Sequence, residues 1–125
     1  NALNIKWTCL ARPDNLDEAL IEDMASAGCT RIMMGVEAGN KKILASYARN
    51  PASINHLPAL CKAMRRHGIQ SFAFFLIGGP EEDRGQMMES LALAKKSNPD
   101  FITLNMMRAY PGTSMYDRMA KTGGA

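Results

Sequence analysis

Four short polar interruptions carry the residue types that could hold a ligand. The first is Arg12, after an apolar stretch. The second is Glu37-Ala38-Gly39-Asn40. The third, Gly78-Gly79-Pro80-Glu81-Glu82, follows the run Phe72-Ala73-Phe74-Phe75-Leu76-Ile77. The fourth is Arg108-Ala109-Tyr110-Pro111-Gly112-Thr113. Glycines let backbone approach a ligand closely, because no Cβ stands in the way. Arginines and carboxylates beside them offer charged donors and acceptors. The chemistry on offer is therefore binding. No convincing acid–base pair is present, no residue is assigned a catalytic role, and His56 and His67 read as helix-terminus residues. Cys9, Cys29 and Cys61 are widely spaced and form no CxxC or other compact ligand pattern. They read as small buried hydrophobes in a reducing compartment, and so predict no metal site in this chain and a cytoplasmic location.

These interruptions fall at the ends of predicted strands. Residues 3–10 alternate as a strand, and Asn15 is the expected cap of a helix carrying Leu16, Leu20, Ile21 and Met24, stopped by Gly28. Residues 31–36 form the next strand, and a short helix over 41–48 is broken by Asn50-Pro51. Ser53 is the expected cap of a third helix ending near His67. Pro58 conflicts with that start, so the helix either begins nearer His56 or bends. Residues 69–77 make an apolar strand expected to be buried on both faces. Asp83 and Gln86 form a capping box for a helix over 84–97, with Met87, Met88, Leu91 and Ala94 inward. A strand over 101–107 and a helix from near Ser114 complete the chain.

Strands alternating with helices predict an α/β fold with a parallel sheet of about four strands. In such folds ligands sit at the carboxyl ends of the strands. All four interruptions lie there, so they predict one site on one rim. Four strands cannot close a barrel. The start at Asn1, without methionine, and the ending Lys121-Thr122-Gly123-Gly124-Ala125 suggest a piece of a longer protein. The chain has 125 residues, 46% hydrophobic and 22% charged, with a net charge of +3. That balance fits one globular domain at most and argues against nucleic acid as a partner. Arg65-Arg66-His67 reads as a helix C-terminus complementing its dipole. No apolar run is long enough to span a bilayer.

WTCLARPD at 7–14, AGCTRIMMGVEAGNKKIL at 27–44, HGIQSFAFFLIGGPEED at 67–83 and NMMRAYPGTSMYD at 105–117 together resemble the radical S-adenosylmethionine (SAM) superfamily. The likeness is nearest to the group that often carries an upstream cobalamin-binding domain. It covers nearly the whole chain in matching order and spacing. The resemblance implies a partial TIM-like (βα) barrel, with this chain as its third to sixth units. It also implies a [4Fe–4S] cluster that cleaves SAM to a 5′-deoxyadenosyl radical, with cobalamin a further candidate cofactor of the parent protein. Glu37, with Gly39 in its GVEAG motif, matches the family's acidic residue facing SAM hydroxyls or amine. Arg49 falls near a basic position for the SAM carboxylate. Gly78, Gly79 and Pro80 match the turn along adenine, and Tyr110 and Pro111 the loop closing that side. Arg12 and Glu82 match positions facing SAM or substrate. Glu81 stands where the family often has glycine. The family's CxxxCxxC motif is absent from these residues, so the resemblance places the cluster on preceding sequence and predicts an inactive isolated fragment. Its partners are then the rest of the parent chain and a small-molecule substrate of unspecified structure. The alternative is a non-catalytic half-barrel that binds a nucleotide or another protein.

Overall fold

The computed structural model describes residues 2–121; the features expected at Asn1 and at residues 122–125 lie outside them. The elements are β1 (Trp7–Ala11), α1 (Glu18–Ser26), β2 (Cys29–Glu37), α2 (Lys41–Ser46), α3 (Leu57–Arg66), β3 (Gln70–Ile77), α4 (Arg84–Ser97), β4 (Phe101–Met106) and α5 (Ser114–Lys121). Two 3₁₀ turns, Pro13–Asn15 and Pro51–His56, precede α1 and α3. One sheet holds the strands in the order β1-β2-β3-β4, with every adjacent pair parallel. This is the predicted α/β parallel architecture, and its four rim loops share one edge because every strand runs the same way.

Strand order in sequence, joined by crossovers of one hand, sets the helices against a single face of the sheet. Ile32, Met34 and Val36 of β2 and Ala73 and Phe75 of β3 lie fully buried on that face. They pack with Ile21, Ile43, Leu44, Leu57 and Met64 from the helices. The opposite face carries Met33, Gly35, Phe72 and Phe74 and is only half covered. The expectation that β3 is buried on both faces is therefore corrected. Its burial alternates residue by residue, because helices cover one side only. Near the amino end of the open face Phe72 stacks on Phe101 with ring centroids 4.3 Å apart, and the Arg31 guanidinium lies 4.8 Å over Phe72.

Several boundaries differ from expectation. β1 starts at Trp7, since Asn4 adopts a left-handed φ of 51° and interrupts the alternation before it. Asp17, not Asn15, caps α1, its carboxylate accepting from Leu20 N–H at 2.8 Å; Asn15 is used in the preceding 3₁₀ turn. Ser53 lies inside the second 3₁₀ turn, and α3 begins at Leu57 with Pro58 in its first turn, where the missing N–H costs nothing. α2 ends at Ser46 rather than at Ala48. The capping box of Asp83 and Gln86 forms as read. Met88 points outward, and the close-packed side of α4 is instead Ser90, Ala94 and Ser97, small residues that let the helix approach its neighbours. Among the described residues no helix is long and apolar enough to cross a membrane.

β4 is anchored at its start by a side chain. Asp100 Oδ2 accepts from the Ser71 N–H at 2.8 Å and the Ser71 hydroxyl at 2.9 Å, while Asp100 N–H donates to Ser71 Oγ at 3.0 Å. Ser71 is wholly buried, so these bonds satisfy a hydroxyl that has no access to water. The same bonds, led by the Ser71 N–H, hold the Asp100 carboxyl below its ordinary range. A depressed folded pKa contributes stability above the unfolded value, about 3.9, that is lost as pH falls through the folded value. Asp100→Ala is expected to cost about 1 kcal/mol at pH 7, discounted for the exposure of the carboxylate. Urea midpoints should show this difference at pH 7 and a smaller one as pH falls below about 4.

Candidate functional site

The rim centres on Glu37. β2 pairs in step with β3 until Gly35 faces Phe74, and then Glu37 faces Phe75, so Val36 is an extra residue. The bulge leaves Glu37 with φ 70°, a left-handed backbone that a non-glycine residue adopts at a cost of roughly 1–3 kcal/mol. Its carboxylate turns back over Gly35, where a Cβ would lie 2.9 Å from Glu37 Oε1. Glu37 Oε1 accepts from Arg49 Nη2 at 2.9 Å, with the two side chains 15% and 33% exposed.

Arg49 reaches this point through the end of α2. Ala48 N–H donates to Ala45 O at 3.0 Å and Arg49 N–H to Leu44 O at 2.9 Å, the paired bonds of a Schellman turn. Ala48 takes the left-handed position usually filled by glycine, at φ 54°. Both partners of the ion pair are thus delivered by left-handed residues with side chains. A cleft of about 450 Å³ opens here. Arg12, Glu37 and Arg49 stand over its floor of Leu10, Gly35 and Phe74. Arg12 also forks onto Asp14 of the next turn, at 3.0 and 2.7 Å.

The 78–82 loop is closed by its own carboxylate. Gly78 has φ 80°, and Glu82 Oε2 accepts from Gly78 N–H at 2.6 Å and Gly79 N–H at 3.4 Å. Gly79 rests on Tyr47: a Cβ there would lie 2.1 Å from the phenol oxygen. Pro80 sits within this turn, which Glu82 N–H closes onto Gly79 O at 3.1 Å. Tyr110 lines a separate opening of about 610 Å³ with Leu76, Met106 and Arg108, and Pro111 is exposed beside it. The structure thus gathers Arg12, Glu37 and Arg49 in one cleft. It sets Gly78, Gly79, Pro80 and Glu82 in the neighbouring rim loop, and Tyr110 and Pro111 beyond that.

Gly39 is used differently. Its N–H donates to Ser90 Oγ at 2.8 Å, and a Cβ would lie 2.6 Å from the Glu89 carbonyl oxygen, so this glycine seats the rim loop against α4. Sequence reading did not single out Tyr47, Ala48 or Arg118. Arg118 on α5 donates to Ser46 O at 3.0 Å and pairs with Glu81, joining elements 72 and 37 residues apart. No local pattern announces contacts of that range.

The cysteines match their structural reading. Cys29 and Cys61 are buried and Cys9 is half-buried, all as free thiols. Burial pushes the Cys61 thiol up to about 11, and burial and neighbouring Cys29 raise that of Cys9. Among the described residues no three His, Cys, Asp or Glu side chains are grouped to hold a metal ion.

A one-layer parallel βα array with charged groups over its strand ends is the arrangement of consecutive units in an α/β barrel. The family model of the radical SAM superfamily matches residues 1–94, and the chain belongs to that superfamily. An uncharacterized methyltransferase of Pyrococcus horikoshii is 26% identical over 115 residues, covering 92% of this chain and 25% of that protein. The radical SAM methyltransferase TsrM of Kitasatospora setae, solved with cobalamin and a [4Fe–4S] cluster, superposes with a TM-score of 0.82 at 18% identity, over 94% of this chain and 23% of its own. Coproporphyrinogen III oxidase of Escherichia coli, a radical SAM enzyme, gives 0.77 at 18% identity, over 93% of this chain and 26% of its own. The chain therefore spans about a quarter of the length of these proteins.

The two unusual backbone sites lead to opposite expectations. Gly39→Ala should destabilise the chain by about 1–3 kcal/mol, since the added methyl meets backbone that cannot swing away. Ala48→Gly should stabilise it by roughly 0.5–1 kcal/mol, by relieving a left-handed alanine. Thermal unfolding of the two variants beside the parent checks both signs.

Proposed function

We propose that this chain is the SAM-holding portion of a larger radical SAM enzyme, contributing the third to sixth βα units of its barrel. The observation that carries the reading is the cleft where a bulge turns Glu37 inward beside Arg49 and Arg12. Its donor set fits SAM. A carboxylate accepts two donors at once and suits ribose hydroxyls or an ammonium. A guanidinium suits the methionyl carboxylate. The absent side chain at Gly35 gives the Glu37 carboxylate room to lie there, at the edge of the cleft. Gly78, Gly79 and Pro80 would line the adenine side, with Tyr110 and Pro111 closing the rim beyond and Glu82 bracing the loop.

The chain's own cysteines do not fit a [4Fe–4S] cluster, being dispersed, two of them buried and the third half-buried. On this reading the three cluster thiolates lie elsewhere in the parent, and the cluster when bound supplies the electron that splits SAM. The residues here bind and orient SAM and keep its reacting end over the sheet. Methyl transfer, with cobalamin as a second cofactor, is the reaction class that the relatives favour. The substrate is a small molecule meeting the same open face, and the proposed setting is the cytoplasm.

The test is SAM binding and cleavage by the full-length protein, reconstituted anaerobically with iron and sulfide. The parent should bind SAM and consume it. Glu37→Gln should keep the fold and weaken SAM binding about tenfold or more, the loss of one charged hydrogen bond. The isolated chain should form no 5′-deoxyadenosine. A full-length protein that binds no SAM would refute the reading and favour the non-catalytic module.

A further inference from the structure

Tyr47 and Glu82 each bury a polar atom that no described residue satisfies. Tyr47 Oη and Glu82 Oε1 are both fully shielded from solvent, and neither has a hydrogen-bond partner. One can donate and the other accept, and both residues lie at Gly79: a Cβ there would be 2.1 Å from the phenol oxygen, and the Gly79 N–H donates to the other oxygen of Glu82 at 3.4 Å. Glu82 is also the charged neighbour that acts most strongly on the phenol, which burial and that carboxylate push up to about 12. The phenol therefore stays protonated and able to donate. Buried polar groups are nearly always paired, so two complementary orphans about one glycine mark an arrangement that is incomplete.

The 78–82 loop is held unevenly along its length. Its Gly78 amide hangs on the other oxygen of Glu82, at 2.6 Å, while the Gly79 amide is held more loosely at 3.4 Å. Gly79 sits directly on Tyr47, and any side chain there would collide with the phenol oxygen. Arg118 steadies the far end of the loop through Glu81 and ties it to Ser46, the residue before Tyr47. Gly79, between these anchors, is the most loosely held amide of the loop, and on the proposed reading it belongs to the turn that lines the nucleoside.

We infer that Tyr47 is a positioning residue for the nucleoside side of the site: when ligand binds, its hydroxyl donates to Glu82 Oε1 and fixes the 78–82 loop against the adenosyl group. The inference rests on the reading that this rim holds SAM. The hydroxyl then contributes nothing to the unliganded protein, where it is an unsatisfied group, and contributes to the complex alone.

That asymmetry gives a test that a structural tyrosine would fail. In the full-length protein reconstituted with iron and sulfide, Tyr47→Phe should melt at the same temperature as the parent or higher, since it removes a buried unpaired hydroxyl. Its SAM dissociation constant should rise about tenfold, and amide exchange at Gly78 and Gly79 in the SAM complex should quicken. Glu82→Gln should weaken SAM binding, and adding Tyr47→Phe to it should bring little further loss, because the two act on one bond. If Tyr47→Phe binds SAM as the parent does, or if melting temperature and affinity fall together, the inference is overturned while the reading of the rim stands. If neither parent nor variant binds SAM, the reading of the rim fails and the inference with it.

Discussion

Glu37 is one residue out of step with its strand, and much of the rim follows from that. The extra residue at Val36 shifts the register against β3 and leaves Glu37 with a left-handed backbone, so that its carboxylate folds back over Gly35. The chain then has two residues before Asn40, whose side chain caps α2 by accepting from Lys42 and Ile43 N–H at 2.9 and 3.2 Å. α2 lasts 6 residues and ends in a second left-handed residue, which carries Arg49 back to Glu37. Bulge, cap, short helix and Schellman turn make one closed circuit, with the ion pair as its closure. A half-buried pair of this kind adds little to stability by itself. Its value is positional, since it fixes two charges that the backbone has already strained to deliver.

Three of the four rim turns are closed in the same economical way, by a side chain close to each in sequence, while the 37–40 loop is seated on Ser90 of α4. Arg12 bonds Asp14, Glu82 bonds Gly78, and Thr113 donates from both its N–H and its hydroxyl to Tyr110 O. Local closure keeps these three loops in defined shapes at the carboxyl ends of strands that end in water. It needs no support from the open face of the sheet, which is covered on its helix side only. The turns are therefore largely shaped before any ligand arrives, which leaves a ligand only small adjustments to fix.

Much of this was legible in the sequence. Strand and helix order, the parallel arrangement and the four rim loops followed from apolar runs broken by polar and glycine residues. The capping box at Asp83 was readable because both partners lie within one helical turn. Legibility failed where a signal depended on distant contacts. β3 read as covered on both faces because Phe72, Phe74 and Leu76 are as apolar as Ala73 and Phe75; composition alone cannot say which side receives helices. Met88 read as inward because methionine suits a core, yet the tight approach of the 37–40 loop calls for Ser90 on the packed side. For the candidate site, Arg12, Glu37 and Arg49 were singled out by strand-end place and family resemblance, and they line one cleft. Gly39 was singled out with the GVEAG motif, which carries no sign of its packing against Ser90 and Glu89. Tyr47 and Arg118 gave no signal, since nothing near either names its partners.

The self-paired state of the rim also bears on what could bind there. A ligand with only one charge would have to break the Glu37–Arg49 pair and leave a half-buried partner uncompensated, an unfavourable exchange in a partly desolvated cleft. A ligand with both an ammonium and a carboxylate, as an amino-acid group has, can enter between the two and replace one ion pair by two. The cost of opening the pair is then returned in the complex, and discrimination rests on the spacing of the ligand's two charges. On the proposed reading the methionyl end of SAM meets that requirement. The same cleft would hold a neutral nucleoside or a simple anion poorly, so the pair acts as a filter as well as a strut.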